Sequence, residues 1–218
     1  AGLLTEQPPL SALRLVVPLD DASWQSFLAG GSAVGEDAVR AAVAAVAPTD
    51  LSDVIFTSGT TGRPKGAMVT HEQSVRVFQT WADTVGLRAD DRMLVVSPFF
   101  HTFGYKAGML ACLLQRATLL PVQVFDVEQT LGLIERERVS VIPGAPTLYT
   151  TLLEHPSRSS YDVSSVRLAV TGASVVPTEL IRRMRDELGF DSVLTAYGLT
   201  ESCGYATGCR EGDPDEVV

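Results

Sequence analysis

The sequence predicts an α/β fold with a mostly parallel sheet flanked by helices. Short apolar runs of strand length alternate along the chain with longer segments whose apolar residues recur at helical spacing. This alternation is typical of βαβ units, and therefore of a parallel sheet. With 218 residues, the chain is long enough to form one domain with a sizeable core.

The first half of the chain begins with a predicted strand and a connector rich in glycine and alanine, residues 22–49. Part of this connector is predicted as a helix that Pro48 ends, because proline cannot continue a helix. Gly86 caps the next helix, as glycine commonly does at a helix C-terminus. The predicted elements of this half are a strand at 13–19, a helix at 36–47, strands at 52–56 and 67–70, and a helix at 71–85.

Strands and helices alternate through the second half. Asp126 is a predicted N-cap, and Pro146 and Pro177 each open a helix, where proline's missing amide costs nothing. The predicted elements are strands at 93–97, 117–120, 139–142, 166–171 and 192–196, and helices at 105–114, 126–138, 146–153 and 177–188.

Composition excludes several classes of function. A net charge of −9 argues against nucleic acid as the main partner. No apolar run reaches the roughly 18 residues that a membrane-spanning helix needs, so we expect no integral membrane contact. The three cysteines are an odd number without metal-binding spacing, which indicates a reduced, cytoplasmic protein.

One loop has the residues of a phosphate-binding site. Residues 56–66 contain four hydroxyl residues, three glycines and Lys65. Hydroxyls and glycine amides donate hydrogen bonds to a polyphosphate, and lysine supplies a positive charge. Because residues 54–56 have the pattern of a buried strand, we place the loop at a strand end, where open α/β sheets bind ligands. Gly66 follows the lysine where a Walker loop has a hydroxyl, so the loop is interpreted as a lid between two strands. The alternative is a solvent-exposed polar turn.

Two further motifs follow in the chain, Phe-Phe-His-Thr-Phe-Gly at 99–104 and Tyr-Gly-Leu-Thr-Glu at 197–201. Together with the loop at 56–66, they resemble, in order, three motifs of the adenylate-forming superfamily, which includes acyl-CoA synthetases, aryl-CoA ligases and luciferases. The resemblance spans nearly the whole chain and implies the large α/β domain of such an enzyme.

The resemblance implies roles for individual residues. It implies catalytic roles for Lys65, His101, Thr200 and Glu201, with Glu201 as the ligand of Mg²⁺, a cation that enzymes commonly hold with carboxylates and phosphate oxygens. The residues that it places against ATP are Thr57, Ser58, Gly59, Thr60, Thr61, Gly62, Lys65, Gly172, Ala173, Ser174, Tyr197, Gly198 and Thr200. The residues that it places against the acyl group are His101, Phe103, Gly104, Gly144, Ala145 and Gly198.

Each of these motifs also has a purely structural interpretation. Glu201 fits an ordinary strand end with a satisfied carboxylate, and His101 fits a hydrogen-bonded structural histidine. The segment 172–174 fits a plain turn between a strand and a helix. These alternatives remain open from the sequence alone.

The resemblance implies an acid–thiol ligase that activates a carboxylic acid with ATP to acyl-AMP and then forms a thioester with coenzyme A. Its partners would be the acid, ATP, Mg²⁺ and coenzyme A. Members of the superfamily are longer, so we expect residues 1–49 to end a preceding subdomain and residues 50–218 to be a truncated ATP- and acyl-binding subdomain. The small C-terminal domain and its adenylating lysine would lie beyond residue 218. We therefore expect these residues alone to be an inactive nucleotide-binding module.

The segments 99–112 and 195–201 look similar to actinobacterial fatty-acyl-CoA synthetases. Within that group they look most similar to ligases of sterol breakdown that activate a ring propanoate. A fatty or sterol-derived acid is therefore the expected substrate. Two alternatives are an adenylation enzyme that loads a carrier protein and an NTPase that transfers a phosphoryl group.

Overall fold

The computed structural model describes residues 15–19, 22–59, 62–214 and 217. The chain divides into two compact units, Ala1–Ala47 and Pro48–Val218. The described elements of the first unit are α1 (Ala22–Gly30), a 3₁₀ turn (Gly31–Ala33) and α2 (Glu36–Ala44).

The first unit confirms one prediction and corrects another. α2 lies within the helix predicted at 36–47, whereas α1 was not predicted. The strand predicted at 13–19 is wrong where it is described, because residues 15–19 form no strand. Leu15 and Leu19 are exposed, so this apolar run does not mark a buried strand. Residues 13 and 14 lie outside the described residues.

The second unit confirms the alternation of strands and helices. Its described strands and helices are β1 (Leu51–Thr57), β2 (Lys65–Thr70), α3 (His71–Val85), β3 (Arg92–Val95), a π-helix (Phe103–Leu110), α4 (Ala111–Gln115), β4 (Thr118–Pro121), α5 (Val127–Glu137), β5 (Val141–Pro143), α6 (Pro146–Glu154), a 3₁₀ turn (Arg158–Ser160), β6 (Leu168–Gly172), α7 (Thr178–Leu188), β7 (Ser192–Tyr197), a 3₁₀ turn (Thr200–Ser202) and β8 (Thr207–Gly208).

A mostly parallel sheet forms the centre of this unit, with strand order β4-β3-β5-β6-β7-β8. The first five strands in this order are parallel, and β8 pairs antiparallel with β7. The predicted fold class is therefore confirmed. Parallel strands bring all their carboxyl ends to one edge, which is the edge where ligands bind in open α/β sheets.

The prediction that the strand before the glycine-rich loop is buried is wrong, whereas the position of the loop at a strand end is confirmed. β1 and β2 form a separate two-stranded antiparallel hairpin, and the loop joins them. Val54 and Phe56 of β1 are 42% and 73% exposed, so the apolar run that predicted a buried strand lies in an open hairpin. The interpretation of the loop as a connection between two strands agrees with this hairpin.

Alternate residues of the parallel strands pack in two separate cores. Met93 and Val95 of β3 lie in one cluster with Trp81 of α3, whereas Leu94 lies in the other with Tyr149 of α6. This period of two follows from strand geometry, in which successive side chains point to opposite faces. Helices therefore cover both faces of the sheet, as parallel sheets require.

Helix boundaries follow local capping signals. The Thr70 side chain accepts a hydrogen bond from the Gln73 amide while the Gln73 side chain accepts one from the Thr70 amide, which starts α3 at His71 as predicted. Asp126 accepts a hydrogen bond from the Gln129 amide and caps α5. The helix predicted at 105–114 is instead a π-helix that continues as α4.

A buried ion pair lies at the amino-end edge of the sheet. The Arg167 guanidinium pairs with the carboxylate of Asp91, which is 3% exposed. Burial alone raises the pKa of Asp91, but hydrogen bonds from Arg167, the Arg88 amide and the Ser140 hydroxyl outweigh burial and leave that pKa below its ordinary value of 3.8. Ionised Asp91 therefore stabilises the fold at pH values above 3.8. This stabilisation is lost as the pH falls through the pKa of Asp91 in the folded state, which is below 3.8.

We expect Arg167→Met to lower the free energy of unfolding by about 3 kcal/mol at neutral pH, because it leaves a buried carboxylate without its charged partner. The deficit should shrink as the pH falls through the folded-state pKa of Asp91, which lies below the ordinary value of 3.8, because the protonated side chain no longer needs a charged partner. Urea unfolding across this pH range measures the effect. Arg182→Met, which removes an exposed pair with Glu179, is the matched control. A deficit that is constant with pH would contradict the role given to Asp91.

Candidate functional site

A cavity of about 1110 Å³ opens at the carboxyl ends of the parallel strands. Ser97 follows β3, Gly144 follows β5, and Gly172 ends β6, and all three line this cavity. The predicted site residues that line it are Thr57, His101, Phe103, Gly144, Ala145, Gly172, Ala173, Ser174, Tyr197, Gly198, Thr200 and Glu201. The fold thus brings together residues from all three motifs and from the turns after β5 and β6.

The other predicted site residues do not line the cavity. Gly104 is buried in the π-helix, and Ser58, Gly59, Gly62 and Lys65 lie in or beside the hairpin loop. Thr60 and Thr61 lie outside the described residues.

Gly59 holds the hairpin loop in a conformation that a larger residue would not adopt. Its φ is +64°, and a Cβ there would lie 2.4 Å from the carbonyl oxygen of Arg63. Glycine adopts such a left-handed conformation without steric cost. The backbone at Gly59 therefore lies close to that of Arg63.

The hairpin meets the Tyr-Gly-Leu-Thr-Glu motif through one side-chain contact. The Thr57 hydroxyl, at the end of β1, donates a 3.2 Å hydrogen bond to Oε1 of Glu201. Glu201 lies in the 3₁₀ turn Thr200–Ser202, which Ser202 stabilises by accepting a 3.0 Å hydrogen bond from the Leu199 amide. A loop hydroxyl and an exposed carboxylate therefore lie together at the cavity.

His101 presents one ring nitrogen for ligand binding. Its Nδ1 accepts a 3.2 Å hydrogen bond from the Phe103 amide. A neutral imidazole that accepts at Nδ1 has its proton on Nε2, so the second nitrogen is a hydrogen-bond donor. The side chain is exposed and lines the cavity.

The turn after β6 lines one side of the cavity. A Cβ on Gly172 would lie 2.2 Å from the carbonyl oxygen of Ala196 on β7, so only glycine lets the two strands approach this closely. The next residue, Ala173, has a φ of +66°, which a non-glycine residue seldom adopts. Unusual backbone of this kind clusters at ligand-binding sites.

The apolar wall of the cavity includes two residues of α3 that the sequence did not identify as site residues. Phe78 and Trp81 of α3 line the cavity although each is 1% exposed. Their helical spacing predicts a buried helix face and gives no signal that the face ends at a cavity.

Cys112 is a free, buried cysteine of the second unit. Burial and the nearby charge of Asp91 raise the pKa of the Cys112 thiol to about 12, consistent with a packing role. Within the described ranges, no helix is long and apolar enough to span a membrane. The same residues contain no cluster of three histidine, cysteine, aspartate or glutamate side chains that could hold a metal ion.

Comparison with known proteins identifies relatives of the whole chain. A family model described as AMP-binding enzyme matches residues 3–218. A 3-(7a-methyl-1,5-dioxo-octahydro-1H-inden-4-yl)propanoyl:CoA ligase of Mycobacterium tuberculosis is 52% identical over all of this chain and 43% of its own length. The ligase of the same name from Rhodococcus jostii is 53% identical over 82% of this chain and 34% of its own length. The chain thus spans less than half the length of either relative.

A solved structure with the same fold contains a nucleotide. It is an O-succinylbenzoate coenzyme A synthetase from Bacillus subtilis in complex with ATP and a magnesium ion. It has a TM-score of 0.67 and 30% sequence identity, and the match covers 76% of this chain and 34% of that chain.

Proposed function

Because this chain belongs to the family of AMP-binding enzymes, we propose that it supplies the ATP- and acyl-binding part of an acid–thiol ligase. The observation that supports this most directly is the contact between Thr57 of the hairpin and Glu201 at the cavity. A phosphate-binding loop, a carboxylate and an apolar cavity are what the activation of an apolar acid by ATP requires.

In the proposed first step, a carboxylate oxygen of the acid attacks the α-phosphorus of ATP. A new P–O bond forms, the bond to the β-phosphate oxygen breaks, and pyrophosphate leaves with the electron pair. In the second step the thiolate of coenzyme A attacks the acyl carbon and AMP leaves. The protein's contribution is to position the reactants and to neutralise charge.

The described residues divide naturally between these tasks. We propose that the hairpin loop and Lys65 bind the β- and γ-phosphates, and that the ring of Tyr197, which is 59% exposed, stacks on adenine. Thr200 donates to the α-phosphate. The small residues Gly144 and Ala145 leave room for a bulky acyl group.

Glu201 fits the requirements of a Mg²⁺ ligand. Nucleotide-bound Mg²⁺ is usually held by one or two carboxylates, with phosphate oxygens and water completing its shell. Glu201 offers such an exposed carboxylate at the cavity. The bound cation would neutralise phosphate charge.

We propose a propanoate on a fused, oxidised ring system as the acid. The two relatives are named as ligases of such a compound, and the M. tuberculosis protein is 52% identical over the whole chain. We also propose that residues 50–218 form the ATP- and acyl-binding subdomain and that the protein is cytoplasmic, where its three cysteines stay reduced.

Carboxylate-dependent exchange between ATP and pyrophosphate, measured on the complete natural protein that contains this sequence, tests the proposal. The panel comprises a fused-ring propanoate, long-chain fatty acids and aryl acids. We expect exchange with the first class, release of AMP, and a thioester when coenzyme A is added. AMP formation that coenzyme A does not change would indicate loading of a carrier protein, and release of ADP would indicate phosphoryl transfer.

We expect His101→Ala to lower the rate of acyl-AMP formation about tenfold, because one hydrogen bond from Nε2 to a charged reactant is lost. His101→Gln is the matched variant, since its amide nitrogen takes the place of Nε2, and we expect it to recover most of the rate. Single-turnover measurements of both variants test this. Equal rates for His101→Ala and the natural protein would assign His101 to capping the Phe103 amide alone.

A further inference from the structure

A buried lysine connects the elements that form the candidate site. Lys106 lies in the π-helix Phe103–Leu110 and its side chain is 0% exposed. Its Nζ is 3.1 Å from Oδ2 of Asp53, and it donates hydrogen bonds to Oγ of Ser74 at 3.1 Å and Sγ of Cys203 at 3.3 Å. A charge in this position is costly unless it is paired and hydrogen-bonded, and here it is both.

The partners of Lys106 lie on three separate elements. Asp53 is on β1, Ser74 is on α3, and Cys203 follows the 3₁₀ turn that contains Glu201. The ammonium therefore joins the hairpin and the turn to the π-helix. The contacts with Asp53, Ser74 and Cys203 explain why a charge is retained in this core.

Each of these elements also presents a site residue. β1 ends at Thr57, four residues after Asp53, which is roughly 13 Å along the same strand. Cys203 closes the turn with a φ of +66° just after Glu201. His101 precedes the π-helix, and its carbonyl oxygen accepts a hydrogen bond from the Tyr105 amide.

We propose that Lys106 is a positioning residue that sets the distance between the hairpin and the turn of Glu201, and thereby the affinity for MgATP. Its ion pair with Asp53 holds β1, and its hydrogen bond to Cys203 holds the turn. β1 and the turn of Glu201 contact each other through the hydrogen bond between Thr57 and Glu201. This inference rests on the proposed ligase function, but one of its tests does not.

Hydrogen exchange tests the positioning independently of activity. In Lys106→Met we expect the exchange of backbone amides of residues 65–70 and 199–204 to be accelerated at least about tenfold more than that of amides of β5. Arg167→Met, which breaks the buried ion pair at the opposite edge of the sheet and also lowers global stability, is the matched control and should not accelerate the two segments more than β5. Unchanged exchange in the two segments of Lys106→Met would overturn the proposal.

Steady-state kinetics of the complete protein provide the second test. We expect Lys106→Met to raise KM for MgATP about tenfold while KM for the acid changes less than about twofold. Arg167→Met should change neither value. If the natural protein shows no carboxylate-dependent exchange, the ligase function fails, and the hydrogen-exchange test still decides the role of Lys106.

A double variant covers the case in which the single one does not fold. Lys106→Met with Asp53→Leu removes both charges, and replacing a buried ion pair by apolar residues is often neutral for stability. We expect this protein to fold but to keep a raised KM for MgATP, because the hydrogen bonds to Ser74 and Cys203 remain absent. A natural KM in the double variant would overturn the proposal and leave Lys106 only the task of neutralising Asp53.

Discussion

Replacing Glu201 by glutamine is expected to lower the rate of acyl-AMP formation about a thousandfold, because the proposed charged ligand of Mg²⁺ is lost and the cation no longer neutralises phosphate charge efficiently. Glutamine has nearly the same shape, and its amide oxygen still accepts the hydrogen bond from Thr57. The fold and the hairpin contact should therefore be kept. Glu201→Gln therefore tests the effect of the charge of Glu201 while keeping its structural contacts.

The measurement for Glu201→Gln is the adenylation rate as a function of Mg²⁺ concentration. We expect the variant to need a higher Mg²⁺ concentration and to reach a lower maximum. Glu179→Gln on α7, an exposed glutamate paired with Arg182, is the matched control and should behave as the natural protein does. Equal activity of Glu201→Gln at matched Mg²⁺ would remove Glu201 from the metal site.

The parallel sheet could be predicted because strand and helix periods differ. Within the segment predicted at 166–171, residues 168–170 are apolar without interruption, as in a strand buried on both faces, and the structure places β6 at Leu168–Gly172. The segment 71–85 has helical spacing and a C-capping glycine, Gly86, and α3 has the same boundaries. Signals of this kind are local, so they can be recognised without knowing which distant residues they contact.

The separation of the hairpin from the parallel sheet could not be predicted in the same way, because the apolar run at residues 54–56 fits a buried strand equally well. What distinguishes the two is pairing with β2, and that depends on tertiary contacts. The contact between Thr57 and Glu201 joins residues 144 positions apart. Sequence motifs indicated both residues, but only the fold brings them within hydrogen-bonding distance.

The burial of Lys106 was also outside the reach of sequence patterns. It is one of only two lysines in the chain, and the sequence gives it no role. A lysine is usually exposed, since lysine is rarely buried without a partner. Its partners Asp53 and Cys203 are far away in the sequence, so the pairing that allows burial is visible only in the structure.

The other lysine, Lys65, is exposed at the start of β2 and does not line the cavity. It is nevertheless the register partner of Thr57 across the hairpin. Opposite residues of an antiparallel pair have their side chains on the same face, so Lys65 lies on the face from which Thr57 contacts Glu201. A compact ammonium on a flexible stem suits a contact with a phosphate that enters this space.

We therefore expect Lys65→Ala to lower the rate of adenylation about a hundredfold, because phosphate charge is no longer neutralised. The free energy of unfolding should change by less than about 0.5 kcal/mol, since the side chain is exposed. Exchange rates and urea unfolding of the complete protein measure the two effects, with the exposed Arg182→Ala as control. An unchanged rate would assign Lys65 to the solvated surface, and phosphate binding by the hairpin would then depend on its hydroxyls and amides.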